Sequence, residues 1–115
     1  NLKPMVGPST SIQDVIFDIS KNRMGATVIT DESNKVLGII TDGDIRRMLE
    51  QHDNIQNLTA EDIYHINPAT IAPSALAVEA LAIMEQKDIS QLIVADNHQY
   101  IGMIHIHDLM KEGIL

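Results

Sequence analysis

Between residues 11 and 21 apolar side chains recur at Ile12, Val15, Ile16 and Ile19. Steps of three and four put one apolar stripe along a helix. Ser11 precedes the stripe with Asp14 three positions on, a helix-start signal. The pattern then changes. Residues 26–30 and 36–41 are short β-branched and apolar runs, separated by the polar stretch Asp31-Glu32-Ser33-Asn34-Lys35. Two such runs around a short polar connection predict a hairpin. A short helix is expected next, over 42–51. Residues 52–57 are polar and read as a linker, and 58–65 as one or two helical turns begun by Thr59-Ala60-Glu61-Asp62. Thr70 and Ile71, after Pro68, read as one more short strand. Downstream, Ala77, Ala80, Leu81 and Met84 repeat the helical stripe with smaller side chains, which allows closer packing. Runs at 92–95 and 100–105 flank a polar turn at 96–99, and 106–112 closes with a helix.

This order is one unit written twice. Pro8-Ser9 through Val28-Ile29-Thr30-Asp31 aligns with Pro73-Ser74 through Ile93-Val94-Ala95-Asp96 at an offset of 65. One residue drops out in the turn. Gly38-Ile39-Ile40-Thr41-Asp42-Gly43-Asp44-Ile45 then aligns with Gly102-Met103-Ile104-His105-Ile106-His107-Asp108-Leu109 at an offset of 64. Each unit reads strand, helix, hairpin, helix. Half of a 115-residue chain buries too small a share of its surface to stand alone. The expectation is therefore an α/β (α+β) fold of two β-α-β-β-α repeats, 1–54 and 55–115, clasped through their sheets about a pseudo-twofold axis. A shared crevice is expected between the loops that open the final helices.

Composition narrows the chemistry. Hydrophobic residues make up 44% and aromatics 3%, with Phe17 the one phenylalanine, so the core must be aliphatic with Met as filler. Eight basic against sixteen acidic residues give a formal charge of −8. Nucleic-acid binding relies on surplus Lys and Arg and on stacking rings, so that partner is not expected. An anionic ligand would have to be held by local groups. Without cysteine there is no disulfide, thiolate nucleophile or Cys-bound zinc, which suits a cytoplasmic location. No apolar run reaches the roughly 18 residues of a membrane helix. The start at Asn1 reads as that of a fragment cut from a longer chain.

Several residues are candidates for ligand contact. Thr41 ends a strand and Asp44 lies in the first turn of the next helix, where free N–H groups and the dipole favour an anion. Gly43 would let a ligand approach the backbone closely. The competing reading is a capping box, because Thr41-x-x-Asp44 has the same form as Ser11-x-x-Asp14 and Thr59-x-x-Asp62. Arg46 and Arg47 follow on the same helix and suit a phosphate or carboxylate; the alternative is pairing with Asp42, Asp44 or Glu50. Lys21 and Arg23 close the first long helix and are read as dipole partners. In the second copy His105 replaces Thr41, a poor substitute for a hydroxyl cap, so the half-sites are expected to differ and one principal ligand is expected. His105 and His107 share a face on an extended strand, but with Asp108 they lack the further ligands that structural zinc requires, so no metal is expected. His52, His65 and His98 are scattered and expected to face solvent. No catalytic triad, P-loop, G-x-G-x-x-G or paired-carboxylate site is present.

The duplication, the β-α-β-β-α order and the Gly38/Thr41/Asp44 motif together resemble the CBS domain, named after cystathionine β-synthase. In tandem such domains form a disc-like module. A narrower resemblance, to the C-terminal CBS pair of arabinose 5-phosphate isomerases, rests on 41–47, on His105 through Leu109, on Ala77 through Glu85, and on Ile89-Ser90-Gln91-Leu92. In that family a separate isomerase domain interconverts ribulose 5-phosphate and arabinose 5-phosphate for synthesis of 3-deoxy-D-manno-octulosonate (Kdo), a sugar of the lipopolysaccharide of outer membranes. The resemblance implies a regulatory fragment without isomerase activity of its own, working on an isomerase domain in cis. It implies no required cofactor, and an anionic effector such as CMP-Kdo, AMP or ATP. It implies ribose contacts from Asp44 and Asp108, sugar–phosphate contacts from Thr41, and backbone contacts near Ser90 and Gln91. The candidate ligand set is then Thr41, Asp42, Gly43, Asp44, Arg46, Arg47, Thr70, Ser90, Gln91, His105, His107 and Asp108. A homodimer or higher oligomer is expected. The alternative function is an oligomerisation module with an empty groove.

Overall fold

The computed structural model describes residues 3–111 and 113. The elements follow in the order β1 (Met5–Val6), α1 (Ile12–Asn22), β2 (Ala26–Thr30), β3 (Val36–Thr41), α2 (Asp42–Gln51), α3 (Ala60–Ile63), β4 (His65–Ile66), β5 (Thr70–Ile71), α4 (Ala77–Lys87), β6 (Gln91–Asp96), β7 (Gln99–His105) and α5 (Ile106–Lys111). The two units are thus β1-α1-β2-β3-α2 and β5-α4-β6-β7-α5. Glu112, expected as the last residue of the closing helix, lies outside the described residues.

Two sheets result, β1-β2-β3-β4 and β5-β6-β7. In each, the leading two-residue strand runs parallel to the first hairpin strand, and the hairpin is antiparallel. The register slips at Ile29/Thr30 in one hairpin and at Val94/Ala95 in the other, positions related by the repeat. A bulge adds one residue to one strand and so changes which side chains share a face.

Alternation along the strands splits the apolar residues into two sets. Ile29 and Ile40 face outward to Ile12, Val15 and Ile19 of α1 and Met48 of α2. Leu92 faces outward to Ala80 and Met84 of α4 and Leu109 of α5. Met24, Ala26 and Val28 of the first unit meet Ile93, Tyr100 and Met103 of the second in a shared inner layer. The sheets therefore clasp as the repeat implies. Tyr100, 1% exposed, carries the bulk of an otherwise aliphatic seam. Its hydroxyl donates to the Pro4 carbonyl at 2.8 Å. Burial pushes its phenol well above the usual value, with Asp18 adding to the effect, so the proton stays in place. The hairpin tips join directly: Val36 N–H donates to the His98 carbonyl, and Tyr100 N–H to the Asn34 carbonyl, each at 2.9 Å.

One segment departs from the sequence-based expectation. Residues 58–65 form the expected single helical turn, α3, but His65 and Ile66 then add an unexpected strand, β4, antiparallel to β3. Gly38 makes the addition possible. A Cβ there would collide with the Tyr64 ring and the His65 carbonyl. The polar stretch 52–57 lies between α2 and α3, and α3 packs Ala60 into the core of the first unit.

Candidate functional site

Each hairpin ends where the next helix starts, and the two such turns sit beside the seam between the units. Asp42 N–H donates to the Gly25 carbonyl at 2.9 Å, and Ile106 N–H to the Ser90 carbonyl at 2.8 Å, the same bond in each copy. Gln91 crosses the seam and donates from Nε2 to the Met24 carbonyl at 2.8 Å.

Two grooves open on either side of Gln91. The first, about 480 Å³, has apolar walls from Ile39 and Ile89, with Thr41, His65, Asn67, Lys87 and Gln91 as its polar lining. The second, about 600 Å³, is bounded by Arg23, Met24, Asp42, Ser90, Gln91 and His105. Thr41 and His105 are repeat equivalents, as are Ile89 and Met24. Gly25 adopts φ +74°, and a Cβ there would stand 2.9 Å from Gln91 Nε2. Glycine is needed here both for its backbone angle and for the close approach.

Asp44 is 5% exposed and all its acceptor positions are engaged. Oδ2 accepts from the Thr41 N–H at 2.8 Å and the Thr41 hydroxyl at 3.1 Å, and Asp44 N–H returns to Thr41 Oγ1 at 3.3 Å. Oδ1 meets Arg47 Nη2 at 2.6 Å and His65 Nε2 at 2.5 Å. Burial by itself would raise the carboxyl pKa, but the Thr41 N–H, the Arg47 guanidinium and His65 outweigh it and hold the group below the usual range. Asp44 and Arg47 border a separate cleft of about 250 Å³, which also has His65 in its wall.

His105 takes over part of the capping role expected to be lost. Its Nδ1 accepts from the His107 N–H at 3.1 Å, and its own N–H donates to Asp108 at 3.0 Å. His107 belongs to α5 rather than to an extended strand, and the two rings lie 4.5 Å apart, tilted, across the turn. Burial and then the neighbouring His107 push the His105 pKa down, against Asp108. A histidine with a lowered folded-state pKa favours the folded chain above the ordinary value and loses that contribution as pH falls toward the folded value. His105→Thr, which restores the hydroxyl, is therefore expected to lose less stability than the parent between about pH 7 and about pH 5. Denaturant melts at both pH values check this; parallel losses would refute it.

The structure thus gathers Thr41 and Gln91 at the first groove, and Asp42, Ser90, Gln91 and His105 at the second. Thr70 borders a further cleft of about 390 Å³ between the hairpin ends. Gly43, Arg46, His107 and Asp108 line none of these hollows. Thr41, Asp44 and Asp108 share no common crevice: Thr41 lines the first groove, Asp44 the separate cleft with His65 bordering both, and Asp108 lines neither. His65 faces solvent as expected, its ring 63% exposed, but it is also bonded to Asp44, which the sequence did not suggest. Among the described residues no group of three His, Cys, Asp or Glu comes together to hold a metal. No helix among them is long and apolar enough to cross a membrane.

The family model for the CBS domain matches this chain twice, at residues 3–51 and 60–114. The chain belongs to the CBS domain family. It is a tandem CBS pair, each copy supplying one unit of the clasp. Arabinose 5-phosphate isomerase KdsD of Yersinia pestis is 37% identical over 112 residues, covering 97% of the chain and 34% of the relative. KdsD of Escherichia coli strain K12 is 33% identical over the same share of each. The chain thus spans about a third of the length of these curated relatives, and the match is to their CBS part. Among solved structures, the CBS domain NE2398 superposes with TM-score 0.87 at 21% identity, over 100% of the chain and 89% of that structure. The CBS domain protein PAE2072 of Pyrobaculum aerophilum, in complex with AMP, superposes with TM-score 0.85 at 22% identity, over 95% and 84%. These likenesses establish the fold.

Sequence reasoning did not place Arg23, Gly25, His65, Lys87 and Ile89 at a site. Arg23 and Lys87 end helices, where a dipole partner is the simpler reading. The repeat held one usable signal: Ile89 aligns with Met24 at the same offset that links Gly25 with Ser90.

Proposed function

We propose that this CBS pair is the regulatory, ligand-sensing part of a sugar-phosphate isomerase related to the arabinose 5-phosphate isomerases. The observation that carries the reading is the first groove, where apolar walls from both copies meet the Lys87 cation and the Thr41 hydroxyl. Its volume, about 480 Å³, is that of a small-molecule site. A flat apolar base fits between Ile39 and Ile89, and a phosphate finds Lys87. The effector is an anionic nucleotide or nucleotide-sugar, either AMP or ATP or the activated sugar CMP-Kdo. A chain of net charge −8 needs such a local cation to hold an anion. AMP is the ligand of two superposable CBS proteins, PAE2072 and CBSX2. The catalytic domain would lie in cis in the same cytoplasmic protein, and the pair would have no isomerase activity of its own.

Calorimetry of the chain with AMP, ATP, CMP and CMP-Kdo tests this. Binding by at least one is expected, weakened by Lys87→Ala. At a hundredfold excess over Kd the ligand should stabilise the fold by about 2.7 kcal/mol. No heat and no melting shift with any of the four would overturn the reading.

A second reading has its own observation. Phe17 on α1, Leu49 on α2, Val78 on α4 and Met110 on α5 stay more than half exposed on the outer helices. Such faces suit self-association, and sedimentation showing a dimer without ligand would support it.

A further inference from the structure

We propose that His65 decides whether the first groove engages a ligand through a sugar hydroxyl, by occupying the Asp44 oxygen that such a hydroxyl would use. The inference rests on the ligand-sensing reading above and adds to it.

An ionised carboxylate only accepts hydrogen bonds, and it has about four positions to offer. In Asp44 all four are filled, two by Thr41 on Oδ2 and two by Arg47 and His65 on Oδ1. A hydroxyl ligand must displace one of them. The Thr41 N–H is backbone and opens α2, so releasing it unwinds the first turn. Arg47 sits on the same helix three residues on, already beside its partner. His65 is different. It arrives from an edge strand of two residues, 21 positions along the chain; its ring is 63% exposed against 58% for Arg47, so what sets it apart is that it does not share a helix with Asp44. Water is ready to receive it.

Its position matches that role. Among the residues bordering the first groove and the Asp44 cleft, His65 is the one common to both. Turning the ring off Oδ1 opens the wall between them and presents the carboxylate to the groove. The chain also contains its own comparison. Asp108, the repeat equivalent of Asp44, takes one hydrogen bond among the described residues, from the His105 N–H. Among the described residues Asp44 is crowded and Asp108 is not, so the two half-sites respond differently to a diol.

The test uses the chain with adenosine and cytidine 5′-monophosphates and their 2′,3′-dideoxy analogues as probes. His65→Ala should bind a ribonucleotide about tenfold more tightly than the parent, the size of one hydrogen bond to a charged group. The gain should vanish with the dideoxy analogue and in His65→Ala combined with Asp44→Asn. His65→Gln keeps a donor and should restore parent-like affinity. An unchanged or weaker affinity in His65→Ala, or an equal gain on the dideoxy probe, overturns the gate while leaving the sensor intact. Failure of every probe to bind any of the proteins overturns the gate, and the sensor reading falls with it if ATP and CMP-Kdo also fail to bind.

Discussion

Tyr100→Ala is expected to cost about 4 kcal/mol, the upper range for removing a buried aromatic ring. In a chain of this size that lowers the melting temperature by about 15 °C. The reason is position. Tyr100 is 1% exposed in the layer where Met24, Ala26 and Val28 of one copy meet Ile93 and Met103 of the other. The neighbours are held by two hairpins whose tips are bonded together, so they cannot close over a ring-sized void. Tyr100→Phe separates packing from polarity. It keeps the ring but leaves the Pro4 carbonyl with only the long bond from the Val28 N–H at 3.4 Å, at a cost of about 1 kcal/mol. Denaturant melts of the three proteins check the ratio. Equal losses for Phe and Ala would show that the hydroxyl, not the ring, holds the seam.

Asp44→Ala should cost about 3 kcal/mol near neutral pH. Loss of the Asp44 half of the capping box, which leaves the Thr41 N–H unpaired, accounts for about 1–2 kcal/mol, while the Thr41 hydroxyl still caps the residue 44 N–H. The remainder comes from Arg47 and His65 losing a buried partner, discounted because both are largely exposed. The pH dependence has a definite sign. The Asp44 carboxyl pKa is lowered in the folded chain. Its contribution is therefore complete above the unfolded value, about 3.9, and is lost as pH falls through the folded value. The gap between parent and Asp44→Ala should stay open from neutrality down to about pH 4 and narrow below it. Urea titrations at several pH values check this. A gap that closed already near pH 6 would assign the stabilisation to a histidine instead. Asp44→Asn, which keeps an acceptor for Thr41, should fall between the two.

The Thr41-x-x-Asp44 pattern admits two readings on sequence alone, cap or ligand contact. The structure shows a reciprocal cap with both oxygens fully used, and His65 completing it. Ser11-x-x-Asp14 looks alike but delivers only the Asp14 N–H to Ser11 Oγ. Thr59-x-x-Asp62 forms the reciprocal box on one carboxylate oxygen, and what sets Asp44 apart is Arg47 and His65 on its other oxygen, the latter from elsewhere in the fold. Gly43 was expected to make room for a ligand, yet its Cβ would meet nothing closer than Arg47 at 3.4 Å. The glycines under real steric constraint are Gly25 and Gly38, whose neighbours come from distant parts of the chain.

Helices, hairpins and the doubling could be read from the order of residues because each depends on contacts within a few positions, and a repeat displays that order twice. The 26–30 and 36–41 runs and the opening of α2 at Asp42 are of this kind. The clasp also followed, since neither copy can cover its inner sheet face alone. The short edge strand β4 carries no period of its own and exists because Gly38 leaves room beside β3. The division of the crevice into two grooves by Gln91, and the seating of His65 on Asp44, join side chains 67 and 21 positions from their partners. Such pairings are set by how packed sheets bring distant edges together, a matter of three-dimensional proximity that no local pattern encodes.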